Sequence, residues 1–195
     1  MARNKDEKKR AAILQTSKTL FSQKGFYNTS ISDIVDETGL PVGTIYTYFT
    51  NKEEIVRVII DEGWSNLELR LEEAFRNASS NEEKLKILVD EFLPELLGDL
   101  DLITILLAEA VSYTKIEEKI DKLAELIFST IKPMAKSSQL FNKFSKNTMY
   151  AALMVYFLGI MNSVKLAESS SLSVSADDIM HFIRQTIENN MHITF

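Results

Sequence analysis

One stretch, residues 29–52, constrains the fold of this chain more than any other. It reads TSISDIVDETGLPVGTIYTYFTNK. Ser30 is suited to cap a helix, and Asp33 stands where a capping box usually has Glu or Gln. Gly39 favours the left-handed conformation that ends a helix, and Pro41 suits the first turn of the next one. Two short helices joined by a glycine-containing turn predict a helix-turn-helix.

The second helix of this motif has the composition of a helix that enters a DNA groove. Its first positions, Val42, Gly43 and Thr44, are small and can approach base edges. The hydroxyls of Tyr46 and Tyr48 can donate hydrogen bonds to phosphates. The alternative interpretation is a structural helical hairpin with two half-buried tyrosines. The cap, the glycine turn and the small and tyrosine residues, in this order along the chain, favour a DNA-binding helix more than any one of them does alone.

A larger set of residues within 10–56 carries a family resemblance. It comprises Ala12, Ile13, Phe21, 24–26, 29–31, Ile34, Val35, Gly39, 43–49 and 51–54. In these residues the chain resembles the N-terminal domain of the tetracycline-repressor (TetR) family of bacterial transcriptional regulators. The resemblance implies a DNA-binding domain followed by a helical effector domain. Val42 stands where many relatives carry Ser, Lys or Arg, so base specificity cannot be carried over.

The motif and the resemblance together predict the residues that contact DNA. They are Thr29, Ser30, Pro41, Val42, Gly43, Thr44, Tyr46, Thr47, Tyr48 and Lys52. Val42 and Thr44 are predicted to contact bases, whereas Ser30, Lys52 and the two tyrosines are predicted to contact phosphates. Residues 1–52 carry eight Lys and Arg against five Asp and Glu, although the whole chain has a net charge of −6. This asymmetry favours a DNA-facing end and an acidic body.

Composition limits the other functional classes. The chain has no Cys, and its two His residues are eleven positions apart, so the sequence predicts no disulfide and no metal site. It contains no glycine-rich phosphate loop and no nucleophile elbow, so no enzyme activity and no cofactor are predicted. The charged first ten residues do not resemble a signal peptide. The longest apolar run, 149–161, is too short to span a bilayer, so we expect a cytoplasmic protein without a membrane partner.

Apolar periodicity predicts an all-α fold of about nine helices without strands. The predicted helices cover about 8–24, 30–38, 41–48, 52–78, 81–98, 101–113, 115–132, 143–167 and 176–192. The predicted division is a three-helix DNA-binding domain at 1–52 and an effector-binding and dimerisation domain at 53–195. Pro94 is expected to kink its helix, because proline removes a backbone donor.

The last two helices carry more apolar surface than one small domain needs. A two-fold homodimer would bury that surface as a four-helix interface. The predicted interface residues are Ala152, Gly159, Ser163, Ile179, Phe182, Ile183 and Thr186. The alternative is that this surface faces the core of the same chain. The resemblance favours the dimer, which would bind an inverted-repeat operator in double-stranded DNA.

The interior is rich in aromatic and Met side chains, which suit a small hydrophobic ligand. The resemblance implies that some of them line an effector pocket beside the long helix. The predicted ligand-binding residues are Trp64, Phe92, Glu109, Tyr113, Phe128, Met154 and Phe157. Glu109 could be a counter-ion for a cationic ligand, or it could face solvent or a dimer partner. The expected function is a repressor that the ligand releases from DNA, and the rival is a ligand-binding helical adaptor that never touches DNA.

Overall fold

The computed structural model describes residues 6–99, 101–102, 104–105, 116–134, 145–171 and 173–191. Every regular element in these ranges is helical, which confirms the predicted all-α fold. The α-helices are α1 Glu7–Lys24, α2 Ile31–Thr38, α3 Val42–Tyr48, α4 Lys52–Asn77, α5 Asn81–Ile87, α6 Leu93–Leu97, α7 Ile116–Met134, α8 Lys146–Ser169 and α9 Ala176–Met191. A π-helical segment, Leu88–Phe92, joins α5 to α6.

The chain divides into two compact units. The first contains Met1–Asn66 and Asp99–Ile116, and the second contains Leu67–Gly98 and Glu117–Phe195. Helix α4 therefore contributes residues to both units. The predicted boundary between residues 52 and 53 separates the DNA-binding part from the effector-binding and dimerisation part. It stays a prediction.

The caps expected in the first unit are present. The backbone N–H of Asp33 donates to the Ser30 hydroxyl at 3.1 Å, and the backbone N–H of Ser30 donates to the Asp33 carboxylate at 2.7 Å. These two bonds form a capping box, with Asp in the position usually held by Glu or Gln. Gly39 ends α2 with a φ of +66°, a conformation that costs glycine little. Pro41 then precedes the first turn of α3.

Apolar side chains from α1 to α4 form the core of the first unit. Ile13, Ile34, Ile45 and Ile55 are each 0% exposed, so one isoleucine from each helix is fully buried. Such burial fixes how α2 and α3 pack on α1, because cores this dense tolerate few alternative arrangements. An ion pair between Arg10 of α1 and Glu62 of α4 adds a polar contact at the edge of this core.

The second unit contains a helical irregularity before Pro94. The backbone N–H of Leu93 donates to the carbonyl of Leu88, five residues earlier, as in a π-helix. The expected disturbance therefore takes the form of a π segment, which places Leu88, Val89 and Phe92 in the core. Arg184 of α9 donates to the Asp90 carboxylate at 2.7 Å and so joins α9 to the π segment.

Among the described helices, α8 alone is both long enough and apolar enough to cross a membrane. Within residues 147–169, the most apolar stretch of 18 residues has a mean hydropathy of 1.4, and 11% of that stretch is buried. By length and composition this helix could cross a membrane, although one such helix is weak evidence for a membrane protein. The shortness of the uninterrupted run 149–161 is therefore not a sufficient argument against a span.

Candidate nucleic-acid interface

Helix α3 presents one face to solvent and buries the other. The side chains of Val42 and Tyr46 are 51% and 53% exposed, whereas Ile45 is fully buried. Phe49, which ends the helix, is 3% exposed. The exposed face is continuous with Pro41, Gly43 and Thr47, which are also exposed, and with half-buried Thr44. The predicted base-contacting residues therefore lie at the accessible N-terminal end of a helix that its own core holds in place.

Tyr48 has a partner that the sequence did not indicate. Its hydroxyl accepts a hydrogen bond from the backbone N–H of Asp6 at 2.9 Å and donates one to the Asp6 carbonyl at 3.1 Å. Asp6 caps α1, where its side chain accepts from Lys8. Tyr48 therefore connects the end of α3 to the start of α1.

Lys52 is bound to the loop between α1 and α2. Its Nζ donates to the carbonyls of Phe26 and Thr29, at 2.5 and 2.6 Å, and lies 4.2 Å from the centre of the Phe26 ring. The ammonium is half-buried in this arrangement. Lys52 therefore stabilises the loop between α1 and α2. Its contact with a DNA phosphate stays a prediction.

Thr29 and Ser30 occupy different environments although they are adjacent. Thr29 is 1% exposed, and its hydroxyl donates to the Gly25 carbonyl at 2.9 Å. Ser30 is exposed at the start of α2, with its hydroxyl bonded to Asp33. Those hydrogen bonds from Ser30, together with the ammonium of Lys24 at 3.0 Å, hold the pKa of the Asp33 carboxyl well below its usual range. Ser30 is therefore accessible to a phosphate, whereas the side chain of Thr29 is structural.

Sequence reasoning did not select the exposed aromatic side chain of this region, Tyr27. Tyr27 lies in the loop between α1 and α2, and 72% of it is exposed. Its ring packs edge-on against buried Phe26, with the ring centres 5.4 Å apart. The available signal was an aromatic residue in a short loop directly before the capping box.

The predicted ligand-binding residues are distributed over both compact units, and their common role stays a prediction. Trp64 is buried in the first unit and Phe92 is buried in the second. Phe128 packs edge-on against Tyr150, with the ring centres 5.3 Å apart. Of the other predicted residues, Phe157 is half-buried, Met154 is 43% exposed, and Glu109 and Tyr113 lie outside the described residues.

The predicted dimer residues are largely accessible in the single chain. Ala152, Gly159 and Ser163 are exposed on α8, and a Cβ added to Gly159 would meet nothing within 4 Å. On α9, Phe182 is 69% exposed and Thr186 is exposed. Ile179 and Ile183 are half-buried.

Comparisons with known proteins place the helix-turn-helix within a family. Residues 13–59 match the family described as bacterial regulatory proteins, tetR family. An uncharacterised HTH-type transcriptional regulator of Bacillus subtilis, YfiR, is 44% identical over 57 residues, which is 29% of this chain and 28% of that protein. The fatty acid metabolism regulator protein of the same organism is 29% identical over 87 residues, or 45% of each chain. The matches thus span less than half the length of these curated relatives.

Likeness to a solved structure extends over the whole fold. The transcriptional regulator FadR of Bacillus subtilis, solved in complex with stearoyl-CoA, matches with a TM-score of 0.70. The match covers 93% of this chain and 97% of that chain at 18% sequence identity, and at this identity it concerns the fold alone.

The helix-turn-helix at residues 13–59 is of the class found in bacterial transcriptional regulators, and the described remainder of the chain is helical. The match to the tetR family lies in residues 13–59, and it confirms the resemblance seen in the sequence. The relatives and the solved structure named above are transcriptional regulators, in agreement with the prediction of no enzyme activity.

Proposed function

We propose that this protein is a cytoplasmic transcriptional repressor that binds an inverted-repeat operator as a homodimer and leaves it when a hydrophobic ligand binds. The observation that carries the proposal is the accessible face of α3, with Val42 and Tyr46 about half exposed on a helix whose Ile45 is fully buried. A rigidly held short helix with small N-terminal residues fits the major groove. Each subunit would insert one α3, with the two helices about 34–36 Å apart.

The surface of α8 supports the homodimer. Ten residues within 151–166 are exposed, and at 3.6 residues per turn they cover about 200° of the helix. Val155 is 71% exposed and Tyr156 is 69% exposed, whereas Val164 on the opposite side is fully buried. A soluble monomer rarely exposes so much contiguous apolar surface. A second copy of α8 and α9 would cover it, and the small residues at 152, 159 and 163 would allow a close approach.

The class of ligand is inferred from the relatives and from the interior. One relative is named as a regulator of fatty acid metabolism, and a structure with the same fold was solved with stearoyl-CoA. In the second unit, Phe92 is buried and the rings of Phe128 and Tyr150 pack together. Apolar and aromatic surroundings of this kind suit an acyl chain. We therefore propose a long-chain acyl compound as the effector.

Release from DNA requires that the ligand prefer the conformation that does not bind the operator. Because α4 contributes residues to both compact units, a displacement of its C-terminal part would be carried along one continuous helix toward the DNA-binding end. A coupling free energy of about 1–3 kcal/mol would lower operator affinity by about 5–150-fold.

The experiment starts from DNA selection. Wild-type protein is used to recover duplexes from a random-sequence pool, and affinity for the recovered duplex is compared with affinity for a scrambled one. We expect a recovered inverted repeat, and weaker binding by Tyr46→Ala. Stearoyl-CoA is then added, with free coenzyme A as the control, and only the acylated compound is expected to release the duplex.

Each part of the proposal can fail separately. Recovery of no sequence-selective duplex would contradict the DNA-binding function and favour the ligand-binding adaptor. Recovery of an operator that stearoyl-CoA does not release would contradict only the proposed ligand class.

A further inference from the structure

The exposed large apolar side chains described in the first unit lie in two segments, the loop before α2 and helix α3. Among its described residues, the large hydrophobic side chains left exposed are Tyr27, Val42 and Tyr46. Two of them belong to the α3 face already assigned to the groove. Tyr27, the most exposed of the three at 72%, lies outside α3, in the loop that enters α2. A single exposed apolar side chain is common on protein surfaces, but Tyr27 lies in a loop that is held in a defined way.

The loop that carries Tyr27 is held by several hydrogen bonds. The Thr29 hydroxyl donates to the Gly25 carbonyl at 2.9 Å, and the Asn28 side chain donates to the Lys24 carbonyl at 3.0 Å. Lys52 binds the Phe26 and Thr29 carbonyls from the side of α4. Since the loop is already ordered, binding through Tyr27 would lose little conformational entropy.

The ring of Tyr27 is also anchored. It stands edge-on to Phe26, with an angle of 81° between the rings, and Phe26 is 1% exposed. Although it is anchored in this way, Tyr27 remains 72% exposed. Tyrosines of this kind are favoured at interfaces that are apolar in one part and polar in another.

The charges around the loop favour a polyanion as the partner. The Lys52 ammonium lies 4.2 Å from the Phe26 ring, which Tyr27 contacts in turn. Lys24 is 48% exposed, and it neutralises the one carboxylate of the adjacent capping box, that of Asp33. Tyr27 also lies three residues before Ser30, the exposed cap of α2. Tyrosine hydroxyls and helix N-termini are common donors to DNA phosphates.

We propose that Tyr27 contacts the sugar–phosphate backbone beside the groove that α3 enters, through its ring and its hydroxyl. This inference rests on the proposed DNA-binding function and adds a contact outside the helix-turn-helix. Because the backbone is the same for every sequence, Tyr27 would position the protein on DNA without selecting bases. Because tyrosine is uncharged, its contact would release no counterions.

The test uses full-length protein and the duplex recovered from the random pool. We expect Tyr27→Ala to weaken binding about tenfold and Tyr27→Phe about threefold. The loss should be equal on recovered and scrambled duplexes, and the slope of affinity against salt should stay at the wild-type value. Leu69→Ala, which removes a side chain that is 63% exposed in α4, is the matched control and should bind like wild-type protein. In phosphate ethylation interference, one phosphate in each half-site should interfere with binding of wild-type protein and no longer interfere with binding of Tyr27→Ala.

The affinities of the two Tyr27 variants decide whether Tyr27 contacts the DNA backbone. Wild-type affinity in Tyr27→Ala would overturn the inference while leaving the proposed function intact, and so would a loss that comes with a lower melting temperature. Wild-type affinity in Tyr27→Phe, with a loss in Tyr27→Ala, would assign the contact to the ring and support the inference. If wild-type protein selects no duplex, the proposed function and this inference fall together.

Discussion

At the scale of single residues, Lys52 separates a structural role from a DNA contact. Its ammonium holds two loop carbonyls, so Lys52→Met should remove two charge-assisted hydrogen bonds and destabilise the protein by about 1–3 kcal/mol. In a chain of 195 residues this corresponds to a fall in melting temperature of about 2–4 °C per kcal/mol. Thermal unfolding measures it. Lys24→Met is the control, because its surface ion pair with Asp33 should contribute little to stability.

A phosphate contact would produce a different result for the same variant. An unchanged melting temperature, with a salt slope reduced by about one, would show that Lys52 acts on DNA and not on the loop. The sequence could not distinguish these roles, because the partners of Lys52 lie 23 and 26 residues away along the chain. Tyr48 has the same difficulty, since it bonds Asp6 across 42 residues. By contrast, the capping box of Ser30 and Asp33 was predictable because all of its atoms lie within one helical turn.

At the scale of elements, the two glycines of the helix-turn-helix should respond in opposite ways to alanine. Gly39 has a φ of +66°, so Gly39→Ala should lower stability by about 1–2 kcal/mol, although nothing lies within 4 Å of the added Cβ. Gly43 lies inside α3 and has equally open space, so Gly43→Ala should raise stability by as much as about 1 kcal/mol. Denaturant unfolding measures both changes, with wild-type protein as the reference.

The same Gly43 variant tests how closely α3 approaches DNA. If α3 lies in the groove, the added methyl group at its exposed N-terminal end should weaken operator binding while the protein becomes more stable. Stronger or equal binding by Gly43→Ala would place this end of α3 away from the bases.

The helix boundaries in the helix-turn-helix were predictable from local signals, namely a cap, a glycine and a proline. The π segment Leu88–Phe92 did not, because Pro94 signals a disturbance without specifying which hydrogen bonds replace the regular ones.

At the scale of the whole molecule, the question is what covers α8. The sequence indicated that this helix is too apolar for a surface, and the single chain nevertheless leaves Val155, Tyr156 and Leu166 more than half exposed. Hydropathy alone cannot distinguish a dimer interface from a lipid-facing helix, and residues 147–169 meet the length and composition of either. The homodimer is favoured because it supplies the second α3 that an inverted repeat requires.

A charge introduced into this surface should therefore separate the subunits. Phe182, 69% exposed on α9, is the chosen site, and Phe182→Glu would place a carboxylate in an apolar interface without a partner. We expect sedimentation equilibrium at micromolar concentration to show dimers for wild-type protein and monomers for Phe182→Glu, with operator affinity lost. Leu69→Glu, at a site exposed to a similar degree on α4, should remain dimeric. Wild-type protein that sediments as a monomer and binds lipid vesicles would contradict the dimer and assign α8 to a membrane surface.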